Sequence, residues 1–247
     1  DYLGEKDFRD GLRYYLKKHS YKNTETLHLW QAFEKVSKKP VAKMMHNWTS
    51  KPGYPVVKAE IKNGKIKFSQ KRFFASPISA KKVKDKTKWE MPITYKNNKV
   101  NFGEAGFYRT AYSKELLEKL HEPIKNKKLS ARDRLGVIRD LFALSEAGVV
   151  PTTDALEFLS AYKEETNYSV WLEIALGLAR IEQLIPNNQN LDNLVIDLFS
   201  PVFKELGWDA KPNEKHTNVL LRSLVISRLG RAGSKKVIDE ARKKWKS

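Results

Sequence analysis

The sequence contains no cysteine, and this absence excludes several kinds of site. A disulfide framework, a thiolate zinc finger, an iron–sulfur cluster and a thiol nucleophile all require that residue. Long hydrophobic runs are also missing: none approaches the roughly 20 apolar residues of a membrane-spanning helix. The polar beginning DYLGEKDFRD is unlike a signal peptide. We therefore expect no membrane span and a cytoplasmic location.

Acidic residues are few beside basic ones, with 29 Asp and Glu against 47 Lys and Arg and a net charge of +18. Such a charge attracts nucleic acids and other anionic surfaces. The lysines are scattered through almost every predicted element, whereas nucleic-acid readers usually cluster arginines and aromatics on one face. We interpret them as a solvated surface and expect no specific nucleic-acid partner. The alternative function is a basic helical-repeat module that binds or scaffolds without catalysis, and steep salt dependence of binding would favour it.

Catalytic motifs are missing as well. None of the five histidines has another four residues later, as the zinc motif H-E-x-x-H requires. The nearest approach begins at His121-Glu122, but Lys125 stands where the second histidine belongs and Pro123 interrupts the helix. No G-x-S-x-G elbow, Walker loop or G-x-G-x-x-G is present. The sequence thus predicts no catalytic, cofactor-binding or metal-binding residue in this chain.

What the sequence does contain falls into three sections of different periodicity, and the first is helical. Over residues 5–48, apolar side chains recur at helical spacing, with Thr24 expected to cap a second helix and Pro40 to open a third. We interpret the Met44, Met45 and Trp48 cluster as core packing.

The second section has the period of two that is typical of strands. Two prolines and a glycine within 51–55 exclude helix there. Apolar residues alternate on both sides of Asn63-Gly64, a dipeptide suited to a tight hairpin turn. Further strands are predicted at Trp89–Tyr95, Lys99–Phe102 and Phe107–Tyr112. Together they predict a small antiparallel β-sandwich.

From Ser113 to the end the pattern is helical again. Ser130 with Asp133 resembles a capping box, and longer helices are predicted at about 168–184, 191–206 and 214–229. Six or seven helices with short connections suggest helix pairs stacked into a solenoid. The predicted fold class is α+β and multidomain: a short helical segment, the sandwich and a HEAT- or armadillo-like superhelix.

Particular residues in this order resemble a known family, the aminopeptidase N-like zinc metallopeptidases, and most closely their tricorn-interacting and puromycin-sensitive branches. The matching segments run through all three sections: Phe8–Leu16, Leu29–Ser37, Met45-x-x-Trp48, Pro52–Val56, Gln70–Phe73, Trp89-x-x-Pro92-Ile93, Gly106–Arg109, Asp133–Leu135, Asp140–Ala143, Leu206–Trp208 and Leu220–Arg222. Several motifs in the same order are far more specific than any one of them.

The resemblance implies that residues 1–52 end a catalytic domain, that 53–112 form the sandwich and that 113–247 form a truncated helical domain. The parent would be a zinc aminopeptidase that removes N-terminal residues from peptides, its zinc motif lying upstream of Asp1. In this reading the chain is the spacer and enclosing wall of the peptide cavity, holds no zinc and is inactive alone. Helices made to pack against an absent core should expose an apolar patch that could drive self-association, formed by Leu27, Trp30, Phe33, Met44 and Trp48.

Overall fold

A computed structural model describes residues 2–83 and 85–246, so Asp1, Lys84 and Ser247, including the outer ends of the predicted domains, lie outside the described residues. Most of the described chain is helical, with a small sheet near its middle.

The first section folds into three helices, α1 (Glu5–Lys18), α2 (Thr26–Ser37) and α3 (Val41–Thr49). Pro40 precedes α3 directly, as predicted. The prediction that Thr24 caps α2 is wrong, because Glu25 occupies the cap position and forms a capping box with His28. The Thr24 hydroxyl instead lies 2.7 Å from the Tyr15 hydroxyl and ties the loop to α1.

The predicted apolar patch on these helices is only partly present. Leu27 is exposed to 49%, but Phe33 is buried and its ring stacks on Phe8 with centroids 5.2 Å apart. Trp30, Met44 and Trp48 are of intermediate exposure. The helices close over Phe33 because α1 carries Gly11 there, where any Cβ would overlap the Phe33 ring. Phe33 was therefore wrongly assigned to the patch.

The hairpin prediction is confirmed. Strands β1 (Pro55–Lys62) and β2 (Lys65–Arg72) pair antiparallel, with Ile61 opposite Ile66. Asn63 and Gly64 between them have φ angles of 51° and 70°, the positive values that a two-residue hairpin turn demands.

The rest of the β region differs from the prediction. It contains a short helix, α4 (Pro77–Lys82), and strands β3 (Tyr95–Lys96), β4 (Lys99–Val100) and β5 (Arg109–Tyr112). β5 pairs in parallel with β1, giving a mixed sheet of order β2-β1-β5, while β3 and β4 form a separate two-stranded ladder. The antiparallel prediction is wrong for this pair, because the long connection before β5 allows the strand to return in either direction.

The helical section is confirmed, beginning directly after β5. Its helices are α5 (Lys114–Lys125), α6 (Ala131–Glu146), α7 (Thr152–Phe158), α8 (Tyr168–Leu184), α9 (Gln189–Leu206), α10 (His216–Arg231) and α11 (Lys235–Lys246). Ser130 caps α6 as predicted, its hydroxyl accepting the Asp133 N–H at 3.1 Å. Trp171 and Phe199 lie in the core between α8 and α9, with ring centroids 4.9 Å apart. Among the described helices none is long and apolar enough to cross a bilayer.

Candidate functional site

The histidines do not come together into a metal site. His19 stacks on His28 with centroids 4.9 Å apart, and His28 Nδ1 accepts the Glu25 N–H in the capping box. His121 Nε2 lies 3.1 Å from the Ser160 hydroxyl. Within residues 2–83 and 85–246, no three carboxylates or imidazoles are grouped to hold a metal ion. The donor set of the described chain does not fit zinc. We take the contacts that join the three sections as the candidate site.

The first joint connects α3 to the sheet region through side chain to backbone hydrogen bonds. The Trp48 indole N–H donates to the Glu90 carbonyl at 3.0 Å, and the Glu90 N–H donates to Asn47 Oδ1 at 3.0 Å. Lys51 adds a third bond, from Nζ to the Lys88 carbonyl, at 2.7 Å. The segment 88–90 is thereby fastened to the end of the N-terminal helices.

An apolar cavity of about 430 Å³ opens beside this joint. All three methionines of the sequence line it, together with Trp48 and Phe107. Met44, Met45 and Trp48 are only partly buried, so the interpretation of this cluster as closed core packing is too simple. Thioether side chains adapt their shape readily, which suits a seam between two packed units.

The second joint connects β5 to α6 through the buried carboxylate of Asp140. Arg109 Nη1 donates to Asp140 Oδ1 at 3.0 Å, and the Thr110 N–H donates to Oδ2 at 2.8 Å. Asp140 is only 3% exposed. A strand and a helix about 30 residues apart in sequence are thus held by one desolvated charge and its partners.

A buried ion pair completes the second joint where the ladder meets α6. Lys99 Nζ lies 2.5 Å from Glu104 Oε1, and Arg139 of α6 donates to Glu104 Oε2 at 2.8 Å. The Gly103 N–H also donates to Asp133 Oδ1 in the first turn of α6, at 2.7 Å. With only 1% of Lys99 exposed, its charge depends on Glu104 for compensation.

Burial raises the pKa of Asp140 from 3.8 to about 6, although the hydrogen bonds from Thr110 and Arg109 act in the opposite direction. The folded state therefore holds this proton more tightly than the unfolded chain. The resulting contribution to stability is greatest below the ordinary pKa and is lost as pH rises through the folded value.

We expect Asp140→Asn to remove this pH dependence. On moving from about pH 7 to about pH 5, the wild type should gain about 1 kcal/mol in free energy of unfolding relative to the variant. Urea unfolding of both proteins at the two pH values measures the difference. Parallel pH profiles would show that Asp140 does not titrate in this range.

The segments that carry the family resemblance contact one another in pairs. Gln70 both accepts the Trp89 N–H at 2.8 Å and donates to its carbonyl at 2.9 Å. Arg109 meets Asp140, as described above, and Arg222 Nη2 donates to the Leu206 carbonyl at 3.2 Å. These pairings could not be predicted from the sequence, because nothing local to one segment identifies its partner.

Comparison with known proteins identifies two domain families along the chain. The profile of the Peptidase family M1 domain matches residues 1–48, and that of the ERAP1-like C-terminal domain matches residues 98–247. Aminopeptidase M1-A of Oryza sativa subsp. japonica is 33% identical over 97% of this chain and 31% of its own length. Tricorn protease-interacting factor F2 of Thermoplasma acidophilum is 31% identical over 98% of this chain and 32% of its own length.

The chain therefore spans about a third of the length of these curated relatives. A further relative, Puromycin-sensitive aminopeptidase of Caenorhabditis elegans, is 30% identical over 97% of the chain and 29% of its own length. One domain match covers more than half of the chain, and the relatives align along nearly all of it. The chain belongs to the M1 aminopeptidase family and corresponds to the C-terminal portion of its members.

Proposed function

We propose that this chain serves as the C-terminal part of a zinc-dependent aminopeptidase that removes N-terminal residues from peptides. The observation that carries the proposal is the similarity to proteins named aminopeptidases over 97% of the chain, although it spans only 31% of Aminopeptidase M1-A. The zinc ligands would belong to the part of those proteins that this chain does not match. An absent cysteine is compatible with a reducing, cytoplasmic location.

The role that we propose for this chain is positional. Residues 1–52 would end the catalytic domain, 53–112 would act as a sandwich-like spacer, and 113–247 would form a superhelical wall around the peptide. The two joints support this role, because a wall limits peptide length only if its position relative to the catalytic domain is fixed. The second joint is held by buried, hydrogen-bonded charges, which leave α6 little freedom to move relative to β5.

The isolated chain is expected to bind well under one zinc ion per molecule and to hydrolyse no amino-acyl reporter. A zinc hydrolase needs three protein ligands, an open water position and a general base, and the described residues do not group such ligands. Elemental analysis after dialysis against zinc, followed by an assay with added zinc, measures both quantities. Chelator-sensitive turnover by a pure preparation would contradict the proposal.

The enclosing role predicts an effect that depends on peptide length. In a polypeptide that joins this chain to an M1 catalytic domain, Arg109→Ala should loosen the second joint without touching the zinc site. We expect hydrolysis of long peptides to change several-fold while turnover of a single amino-acyl reporter changes little, since a short substrate does not reach the wall. Equal loss on both substrates would argue against a wall.

A further inference from the structure

One face of the β1–β2 hairpin carries five lysines and a single acidic residue. Residues directly opposite each other on two antiparallel strands point to the same face. Four such pairs form this face: Val56–Lys71, Lys58–Ser69, Glu60–Lys67 and Lys62–Lys65. Its five lysines are all exposed, and we call them the lysine face. The opposite face of the hairpin, with Val57 and Ala59, is buried in the core. Folding thus gathers on one surface part of a positive charge that is spread along the sequence.

Protection of the sheet edge accounts for only part of this charge. β2 lies at an edge in the order β2-β1-β5, and lysines on an edge strand prevent pairing with other chains. β1 is the central strand and has partners on both sides, so Lys58 and Lys62 do not have this role. The lysine face is therefore more basic than edge protection requires.

The charge of the lysine face is poorly compensated. Glu60 binds two of the lysines, with its oxygens 2.9 Å from Lys58 Nζ and 2.8 Å from Lys62 Nζ. Over residues 2–83 and 85–246, the ion pairs include none formed by Lys65, Lys67 or Lys71.

Two of these lysines also repel each other, because Lys62 lies directly opposite Lys65. Like charges in this arrangement destabilise a hairpin. An anionic ligand that lies across the pair would remove this repulsion.

The spacing of the lysine positions suits a phosphodiester strand. Alternate residues of an antiparallel strand lie about 6.8 Å apart. This is close to the separation of successive phosphates along a nucleic-acid strand. Lys65, Lys67 and Lys71 follow this spacing on β2, and the exposed Ser69 offers a hydroxyl donor at the position between the last two. Such a row matches a backbone that carries one negative charge at every nucleotide.

We propose that the lysine face binds the phosphodiester backbone of a nucleic-acid strand laid along β2. Lys65, Lys67 and Lys71 would each contact a phosphate. The four pairs of the face include neither an aromatic nor an arginine side chain, the groups that stack on bases or most often read guanine edges. The binding is therefore independent of base sequence, and it is separate from the peptidase role proposed above.

Fluorescence anisotropy of a labelled oligothymidylate measures this binding with the whole chain. A length of about 12 nucleotides falls within the usual site sizes for single strands. We expect a dissociation constant between about 1 and 100 µM near 0.15 M salt, the range of sequence-independent binding. Oligoadenylate of the same length should bind within about threefold of this value, because phosphate contacts carry no sequence information.

Two triple variants with the same change of net charge locate the contact. The row variant neutralises the lysines of β2: Lys65→Gln, Lys67→Gln and Lys71→Gln. The control neutralises three exposed lysines at and just after the end of α5: Lys125→Gln, Lys127→Gln and Lys128→Gln. Because both variants lose three charges, attraction to the net charge of the chain falls equally in the two.

The row variant should bind the oligothymidylate at least about tenfold more weakly, and the control less than about threefold. The slope of log affinity against log salt should fall in magnitude by about 2 for the row variant, since each phosphate contact on a single strand contributes about 0.7. Urea unfolding should show the row variant at least as stable as the wild type, because the repulsion between Lys62 and Lys65 is gone. Weaker binding then reports the lost contacts and not unfolding.

Four results would overturn the proposal. The first two are a wild type that does not bind up to about 1 mM and a row variant that loses no more affinity than the control. The third is competition by an oligoglutamate of equal charge as effective as that of unlabelled oligothymidylate, which would assign the face to acidic peptides. The fourth is stronger competition by vesicles of an anionic phospholipid at equal charge, which would assign it to a membrane surface.

Discussion

Glu165→Ala is expected to lower the free energy of unfolding by about 3 to 5 kcal/mol, because it leaves a buried guanidinium unpaired. Glu165 and Arg134 are 5% and 6% exposed. Arg134 donates to both carboxylate oxygens, from Nε at 2.6 Å and from Nη2 at 2.8 Å. The same carboxylate accepts the N–H groups of Thr166 and Asn167, each at 2.8 Å. One side chain thus fastens α6 to the turn before α8.

Replacing both partners separates the cost of the unpaired charge from that of the rest of the contact. Arg134→Met combined with Glu165→Met should recover about 2 kcal/mol of the loss, because the uncompensated charge is gone. The exposed pair of Lys163 and Asp197, 2.7 Å apart, provides the control. Asp197→Ala should cost less than about 1 kcal/mol. Urea unfolding measures the loss of stability for each pair. Equal losses for the buried and exposed pairs would show that burial does not determine the cost of removing one partner.

The pH dependence of this contact has the opposite sign to that of Asp140. Burial raises the pKa of Glu165, but the hydrogen bonds from Arg134, Asn167 and Thr166 outweigh it and lower the pKa below 4.5. The unfolded chain therefore binds the proton more tightly. The contribution of Glu165 is present above the ordinary value and is lost as pH falls through the folded one.

Periodicity predicted the helices and the hairpin well because the information for them is local. The predicted helix at 168–184 coincides with α8, and Asn63-Gly64 marks the turn between β1 and β2. Strand pairing, in contrast, is not determined by local sequence. The predicted strand at Trp89–Tyr95 shares only Tyr95 with an observed strand, because the backbone of Trp89 bonds to the Gln70 side chain rather than to a neighbouring strand.

The buried charges could not be predicted from local pattern. A charged residue on a helix normally faces water, so the sequence alone indicates only a capping role for Asp133 and membership of a motif for Asp140. Each turns inward because of a partner about 30 residues earlier in the chain: the Gly103 N–H for Asp133, Arg109 and Thr110 for Asp140. The available signal was indirect: the motifs carrying the family resemblance contained charged residues within otherwise apolar helices.

Gly136 is the backbone counterpart of these buried charges. It lies on α6 where Glu104 approaches, and a Cβ at this position would overlap the Glu104 carboxylate. Lys99 and Arg139 hold the two oxygens of that carboxylate, so moving it away breaks at least one of these ion pairs. A methyl group at 136 must therefore break the second joint or displace α6.

We expect Gly136→Ala to lower the free energy of unfolding by about 3 kcal/mol, although alanine is about 1 kcal/mol better than glycine in a helix. Gly230→Ala in α10 is the matched control, since its Cβ would meet only Val237, at 4.0 Å. It should stabilise by up to about 1 kcal/mol.

The sharper measurement is the effect of Gly136→Ala in a Glu104→Ala background. There the carboxylate is gone, so the added methyl should be neutral or stabilising, and thermal unfolding of the four proteins gives the coupling. A loss that persists without Glu104 would place the conflict elsewhere on α6. If the coupling is as large as the geometry requires, α6 can approach the β region this closely only because position 136 lacks a side chain. The orientation of the helical section then depends on that contact, and in the proposed enzyme the same contact would position the cavity wall.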